Sequence, residues 1–266
     1  MNVSIVYFSG TGNTAWVVQQ LAERLRHLGS DVTTSSCEDV PAEEIDPGAS
    51  DAFGILFPVH SSFAASIFRG YLAQLPAAST PLFAITTAGY WAGDTAWVAA
   101  QPLVDRGYDL FLCANVLMPN NFFIPKMDIL PVTPPERVPR VLERAASRVA
   151  QLAVRIQRMN RHIQGTGPFG RLGGAIQRWG YATWESKMLA RFHADESCIG
   201  CNWCVSHCPT QSWELRDGQA RFLDSCIYCM RCYSFCPVQA IQATDRTRRT
   251  AKYRRYQGPQ GRSYPA

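Results

Sequence analysis

The chain has 266 residues, 47% hydrophobic and 18% charged, enough for one substantial domain plus a small one. It is too long for a disulfide-stapled mini-domain. Its uncharged stretch Ala52–Phe68 is broken by Pro58, His60 and serines, which excludes a membrane span there. The net charge of +5 is unevenly spread: residues 1–132 hold five Lys/Arg against twelve Asp/Glu, and residues 133–266 hold twenty-one against nine. An acidic front and a basic back indicate two modules with different electrostatic partners, or with each other as partners.

Residues 1–160 alternate between apolar and amphipathic runs. Asn2-Val3-Ser4-Ile5-Val6-Tyr7 has no basic leader before it, so no targeting signal is expected. Val3–Phe8 reads as a buried strand. Thr14–Leu28 reads as a helix with Trp16, Val17, Leu21 and Leu25 at helical spacing, ended by Gly29. Asp31–Ser36 is the second strand, and Ala52–Pro58 the third, nearly all apolar as a strand covered on both faces should be. Ser61–Leu75 reads as helix, Pro81–Thr87 as the fourth strand, Asp94–Arg106 as helix, Tyr108–Met118 as the fifth strand, and Pro134–Asn160 as a long helical stretch. Five strands alternating with helices predict an α/β, doubly wound parallel sheet.

Such sheets bind ligands outside the carboxyl ends of their strands. The first exit is Ser9-Gly10-Thr11-Gly12-Asn13-Thr14, between a strand and a helix. Its glycines let backbone N–H groups converge, its hydroxyls and amide add donors, and the helix N-terminus favours an anion. The loop has no Lys or Arg, so dipoles alone would hold a phosphate. A Walker A loop needs a lysine and is excluded. Gly10-x-Gly12-x-x-Ala15 matches a dinucleotide fingerprint, and a merely structural turn fits too. The density of hydroxyls suits a terminal phosphate monoester, as in flavin mononucleotide (FMN).

Residues 161–194 form a connector whose glycines argue against one continuous helix. Its Trp179, Tyr181, Trp184 and Phe192 read as packing between modules, with a weak peripheral membrane contact as the other reading. Residues 198–237 then carry C-x2-C-x2-C-x3-C-P twice: Cys198, Cys201, Cys204, Cys208-Pro209 and Cys226, Cys229, Cys232, Cys236-Pro237. Three thiolates two residues apart reach three irons of one cubane, and the fourth cysteine serves the neighbouring cluster in two-cluster proteins. The expected sets are Cys198, Cys201, Cys204 and Cys236 for one [4Fe–4S] cluster, and Cys226, Cys229, Cys232 and Cys208 for the other. Single zinc sites do not use this rhythm. Pro209-Thr210-Gln211-Ser212-Trp213 echoes Pro237-Val238-Gln239-Ala240-Ile241, so an internal pseudo-twofold is expected. The isolated Cys37 and Cys113 read as buried, inert thiols. Clusters with free thiols suit a reducing cytoplasm. The tail, 245–266, interleaves Arg and Lys with Tyr253, Tyr256 and Tyr264. It reads as solvated or as steering onto acidic surfaces, not as a nucleic-acid site.

Two resemblances follow from these residues. Asp195–Thr244 resembles bacterial-type 2[4Fe–4S] ferredoxins, a small α+β module. Ser9-Gly10-Thr11-Gly12-Asn13-Thr14 resembles the phosphate loop of flavodoxins, with the strand pattern over residues 1–160 in support. That likeness implies FMN, its ring held by the third exit (Pro58, Val59, His60) and the fourth (Thr87, Ala88, Gly89, Tyr90, Trp91), with Tyr90 or Trp91 stacking on it. The third exit departs from flavodoxins in having no aromatic. Asn120, in the fifth exit 119–123, would border the ring. Together the chain resembles flavodoxin–ferredoxin hybrid proteins. These imply an electron carrier between a low-potential donor and an unidentified acceptor; a flavin-dependent reductase with its own small substrate is the alternative.

Overall fold

Apolar runs that alternate with amphipathic ones are buried when strands pair side by side and helices cover both faces. The computed structural model, which describes residues 1–122, 131–189, 192–249 and 251–261, is built this way. Phe123, Arg262, Tyr264 and the side chains of Tyr181 and Trp184 lie outside the described residues. Strands β1 (Asn2–Tyr7), β2 (Asp31–Ser36), β3 (Ala52–Pro58), β4 (Pro81–Ala88) and β5 (Asp109–Leu117) are parallel, in the order β2-β1-β3-β4-β5. This is the flavodoxin-like order, with its switch point between β1 and β3.

Helices α1 (Asn13–His27) and α4 (Val138–Gln157) bury Val17, Leu21, Leu25, Val149 and Leu152 on one sheet face. Helices α2 (Ser66–Gln74) and α3 (Thr95–Val104) bury Phe68, Leu72, Ala96 and Leu103 on the other. Central β3 is buried from Ala52 to Phe57, whereas edge strand β2 buries only Val32. The all-apolar third strand and the polar second strand are thus explained by position.

Three expectations are corrected. The helix expected from Ser61 starts at Ser66, because Ser61 and Ser62 adopt left-handed φ of 48° and 62° and His60 bridges Phe63. The sheet has a sixth strand, β6 (His162–Ile163), paired with Leu112 and Cys113 of β5, where a connector was expected. Two residues are too few to show a period. The connector glycines do not break the helix: α5 runs unbroken from Pro168 to Leu189. A Cβ on Gly174 would lie 2.0 Å from Asp94 Oδ1, so that glycine lets the helix approach the β4 exit closely. Arg178 then grips buried Asp94 with two bonds of 2.6 and 3.0 Å. The expected aromatic packing holds for Phe192, which is buried, but Trp179 is 76% exposed.

The C-terminal module pairs β7 (His193–Ala194) with β10 (Ile241–Gln242) and carries the hairpin β8 (Trp213–Arg216)–β9 (Gln219–Phe222) and short helices α6 (Trp203–Ser206) and α7 (Arg231–Phe235). Its two halves repeat in backbone detail. Asn202 and Met230 precede the short helices at φ 63° and 65°, and Gln211 and Gln239 follow the prolines at 52° and 56°.

Candidate cofactor sites

The eight cysteines fall into two groups around two separate voids. Cys198, Cys201, Cys204 and Cys236 line one, with Ile199, Leu215 and Ile241 as walls. Cys208, Cys226, Cys229 and Cys232 line the other, with Phe192, Trp213, Tyr228 and Met230. Each void takes three cysteines from one run and the last cysteine of the other. Among the described residues no three His, Cys, Asp or Glu converge as ligands of a single ion would. Cubane ligands need not converge, because each thiolate meets its own iron.

The sulfur environment fits thiolate ligands. The N–H of Ser212 donates to Cys208 Sγ and that of Ala240 to Cys236 Sγ, each at 3.2 Å, and Tyr228 N–H donates to Cys226 Sγ at 3.3 Å. Such donors favour a charged sulfur, as second-shell bonds to metal ligands do. Burial first, and then the neighbouring cysteines, push the free thiols of Cys204 and Cys229 up to about 11, and that of Cys232 well above its ordinary value. Without iron these thiols stay protonated, so cluster binding and proton release are linked. Cys37 and Cys113 lie apart, their thiols pushed up to about 12 by burial, and are inert.

The loop Ser9–Thr14 leaves β1 and opens α1. Gly12 supplies the left-handed turn at φ 92°. All six residues are buried. Their side chains are held in place: Ser9 Oγ accepts from Ala15 N–H at 3.2 Å, Thr14 Oγ1 meets Thr87 Oγ1 at 2.8 Å, and Asn121 Nδ2 donates to Thr11 Oγ1. Asn13 Nδ2 donates to Pro119 O at 2.8 Å, and Tyr256 OH donates to Asn13 Oδ1 at 2.6 Å. The backbone differs. Among the described residues the N–H groups of Gly10, Thr11, Gly12, Asn13 and Thr14 donate to no protein acceptor. Buried N–H groups without partners are rare, and a run of them at a helix N-terminus fits a bound anion. The donor set therefore suits a phosphate.

The other predicted ring contacts divide. Pro58, Val59 and His60 leave β3 beside Thr87 and Ala88 of β4, joined by Val59 N–H to Thr87 O at 2.9 Å. Tyr90 is half exposed, its hydroxyl donating to Pro131 O at 3.0 Å. Trp91 instead packs its ring on Gly93 and on Gly173 of α5. Asn120 is buried in its own loop, with Nδ2 donating to Pro131 O at 3.0 Å and N–H donating to Thr133 Oγ1 at 2.7 Å. The close approach that Gly89 permits is to Asn120, whose Oδ1 lies 2.5 Å from where a Cβ would be.

The cysteine module sits directly on these exits. A Cβ on Gly10 would lie 2.5 Å from the carbonyl oxygen of Cys229. Ile227 is buried in the apolar cluster that includes Phe57, Ala64 and Phe68, and the His60 ring lies beside the Ile227 backbone. Burial lowers the His60 imidazole to about 4, so it is neutral at neutral pH. Phe122, beyond β5, meets the Tyr228 ring edge-on at 5.6 Å. Buried Arg231 pairs with Glu38 at 2.6 Å, and buried Asp94 with Arg178; among the described residues these two ion pairs join the acidic front to the basic back. On the β2 side a cavity of about 660 Å³ remains between the modules, lined by Glu38, Asp39, Trp203, Cys208 and Cys236 among others.

Sequence reasoning missed Ile227, Arg231 and Tyr256. The first two are hidden inside a cysteine run whose spacing dominates the reading. The tail was expected to be solvated or steered by charge, yet Tyr253, Arg255 and Tyr256 are buried. Arg255 lies 3.4 Å from the Tyr233 ring centroid and donates to Tyr233 O and Gln239 O, on either side of Cys236.

Comparison with known proteins matches the C-terminal module to a family and finds solved structures similar to the N-terminal part. Residues 192–237 match the 4Fe-4S dicluster domain family. None of the curated proteins matches the chain. Among solved structures, the N-terminal part is similar to a flavodoxin from the domain Archaea, at 14% identity over 59% of this chain and 99% of that one, TM-score 0.41. It is also similar to oxidised Flavodoxin 2 from Bacillus cereus, at 17% identity over 58% of this chain and 96% of that one, TM-score 0.43. The Streptococcus pneumonia TIGR4 flavodoxin is similar at 19% identity over 58% and 99%, TM-score 0.40. The strand order, not these scores, carries the fold. The chain joins a flavodoxin-like sheet to a 4Fe-4S dicluster domain.

Proposed function

We propose that this fusion is an electron-transfer protein holding FMN and two [4Fe–4S] clusters. Its parts are a flavodoxin-like domain (1–160), a connector (161–194), a cluster module (195–244) and a basic tail (245–266). Cys198, Cys201, Cys204 and Cys236 hold one cluster, and Cys208, Cys226, Cys229 and Cys232 the other; the sorting of the cysteines around two voids supports these sets. The observation that carries the reading is the contact of Cys229 with Gly10, a cluster ligand packed against the phosphate loop.

When bound, the clusters supply single-electron exchange and the flavin exchange of one or two electrons. The chain supplies position. The backbone N–H groups from Gly10 to Thr14 hold the phosphate, and Pro58–His60, Thr87, Ala88 and Tyr90 border the ring. Phe192, Trp213, Tyr228 and Met230 keep water from the inner cysteine set. Cys201 is exposed and Ile199 beside it is 64% exposed, so the outer set faces solvent and redox partner proteins. With both cofactors bound, Cys201 and its set would stand nearest a redox partner, and Cys229 and its set nearest the phosphate loop. No helix among the described residues is long and apolar enough to cross a membrane.

Oxygen-free full-length protein should carry about eight irons and one FMN. Zinc in place of iron, or a chain that takes up no flavin, would refute the proposal.

A further inference from the structure

We propose that Arg231, a residue of the cluster module, shapes the phosphate cradle from behind, so that tight FMN binding depends on that module being docked. The inference rests on Ser9–Thr14 being the FMN phosphate site.

Arg231 is 3% exposed and lies between two cluster cysteines, Cys229 and Cys232. Its guanidinium reaches across to the other module. Nη2 donates to Ser9 O at 2.9 Å and Nε to Gly10 O at 3.1 Å. Nη1 donates to His207 O at 2.8 Å, and Glu38 receives bonds of 2.6 and 2.8 Å. Glu38 cancels the charge, so Arg231 acts on the loop through geometry and lends little net attraction to an anion.

The geometry is decisive because a trans peptide points its C=O and N–H in opposite directions. Drawing the carbonyls of Ser9 and Gly10 towards Arg231 turns the N–H groups of Gly10 and Thr11 to the far side. Those are two of the buried, unpartnered donors. The same carbonyls have an alternative use. Ser9 O and Gly10 O are the i−4 acceptors for the N–H groups of Asn13 and Thr14, which would extend α1 by another turn. Neither helical bond forms. Arg231 occupies both acceptors and so leaves four cradle donors, at Gly10, Thr11, Asn13 and Thr14, free for phosphate. His207 O, next to Cys208, holds the guanidinium from the cluster side, and Arg231 is itself the neighbour of Cys232. Loosening either run loosens the cradle.

The test uses oxygen-free, deflavinated full-length protein with its clusters in place. FMN and riboflavin affinities are read by quenching of flavin fluorescence, with iron content as control. The variants are Arg231→Lys and the double Arg231→Met/Glu38→Gln, the second removing the carboxylate left without its partner. FMN should bind about tenfold or more weakly in both, from loss of two charge-assisted bonds. Riboflavin, which lacks the phosphate, should change by no more than about twofold. Unchanged FMN affinity with iron intact overturns the proposal, as does equal weakening of both flavins, which would place the effect at the ring. A wild-type chain that takes up neither flavin overturns the underlying reading as well.

Discussion

Ile227→Ala is the most informative single change to the junction. Ile227 comes from the cluster module, is 4% exposed, and sits in the apolar core of the other module with Phe57, Ala64 and Phe68. Truncation removes three carbons, worth about 2.4 kcal/mol at roughly 0.8 each. The cavity left behind adds to this, giving about 3–4 kcal/mol in total. The loss falls on docking, because the flavodoxin-like core keeps its own side chains. Urea unfolding of the oxygen-free holoprotein, followed by flavin fluorescence and by cluster absorbance, reads it directly. In the wild type the two signals should move together. In Ile227→Ala the cluster signal should move first, at lower urea. Leu172→Ala, at a 63% exposed position, serves as control and should stay within about 0.5 kcal/mol of wild type. An Ile227→Ala shift as small as the control's would refute the claim that this side chain joins the modules.

Cys208→Ser and Cys236→Ser should damage different clusters despite lying at the ends of their own runs. Cys208→Ser should perturb the signal shared with Cys226→Ser, and Cys236→Ser the one shared with Cys198→Ser, by EPR of the reduced protein; pairing within each run would refute the crossing. His60 is held neutral in the folded chain, so its contribution is complete above pH 6.5 and is lost as pH falls from 6.5 towards 4. Over that window wild type should lose about 2–3 kcal/mol more than His60→Gln in urea unfolding, and identical pH profiles would contradict the neutral imidazole. Asp94→Asn leaves Arg178 without its buried carboxylate and should lower stability by about 3 kcal/mol, read by thermal or urea unfolding. A change below 0.5 kcal/mol would mean the pair does not hold α5.

Periodic and spaced features were legible in the sequence; contacts between distant segments were not. β2 and β3 fall where composition put them, because a strand's apolar content reports its place in the sheet. The cysteine spacing already implied two groups of three plus one, since in two-cluster proteins the cysteine after the longer x3 step of each run serves the neighbouring cubane. β6 escaped because two residues carry no pattern, and α5 because glycine argues against helix unless close packing demands it, as at Gly174 against Asp94. Trp91, Gly89 and Asn120 were read towards a ring by their place after strands; their contacts within the chain, Trp91 with α5 and Gly89 with Asn120, join distant segments and left no local pattern. The tail's buried Tyr253, Arg255 and Tyr256 looked like solvated residues because their partners, Tyr233 and Asn13, lie far away in sequence.

The central claim is that an inner cluster and a flavin share one junction, with Cys229 against Gly10. Oxygen-free stopped-flow reduction, with cluster and flavin absorbance resolved, tests it most directly. Electrons given to the clusters should appear on the flavin at a rate that does not change with protein concentration. A rate that scales with protein concentration, or clusters that stay reduced beside an oxidised flavin of higher potential, would contradict it.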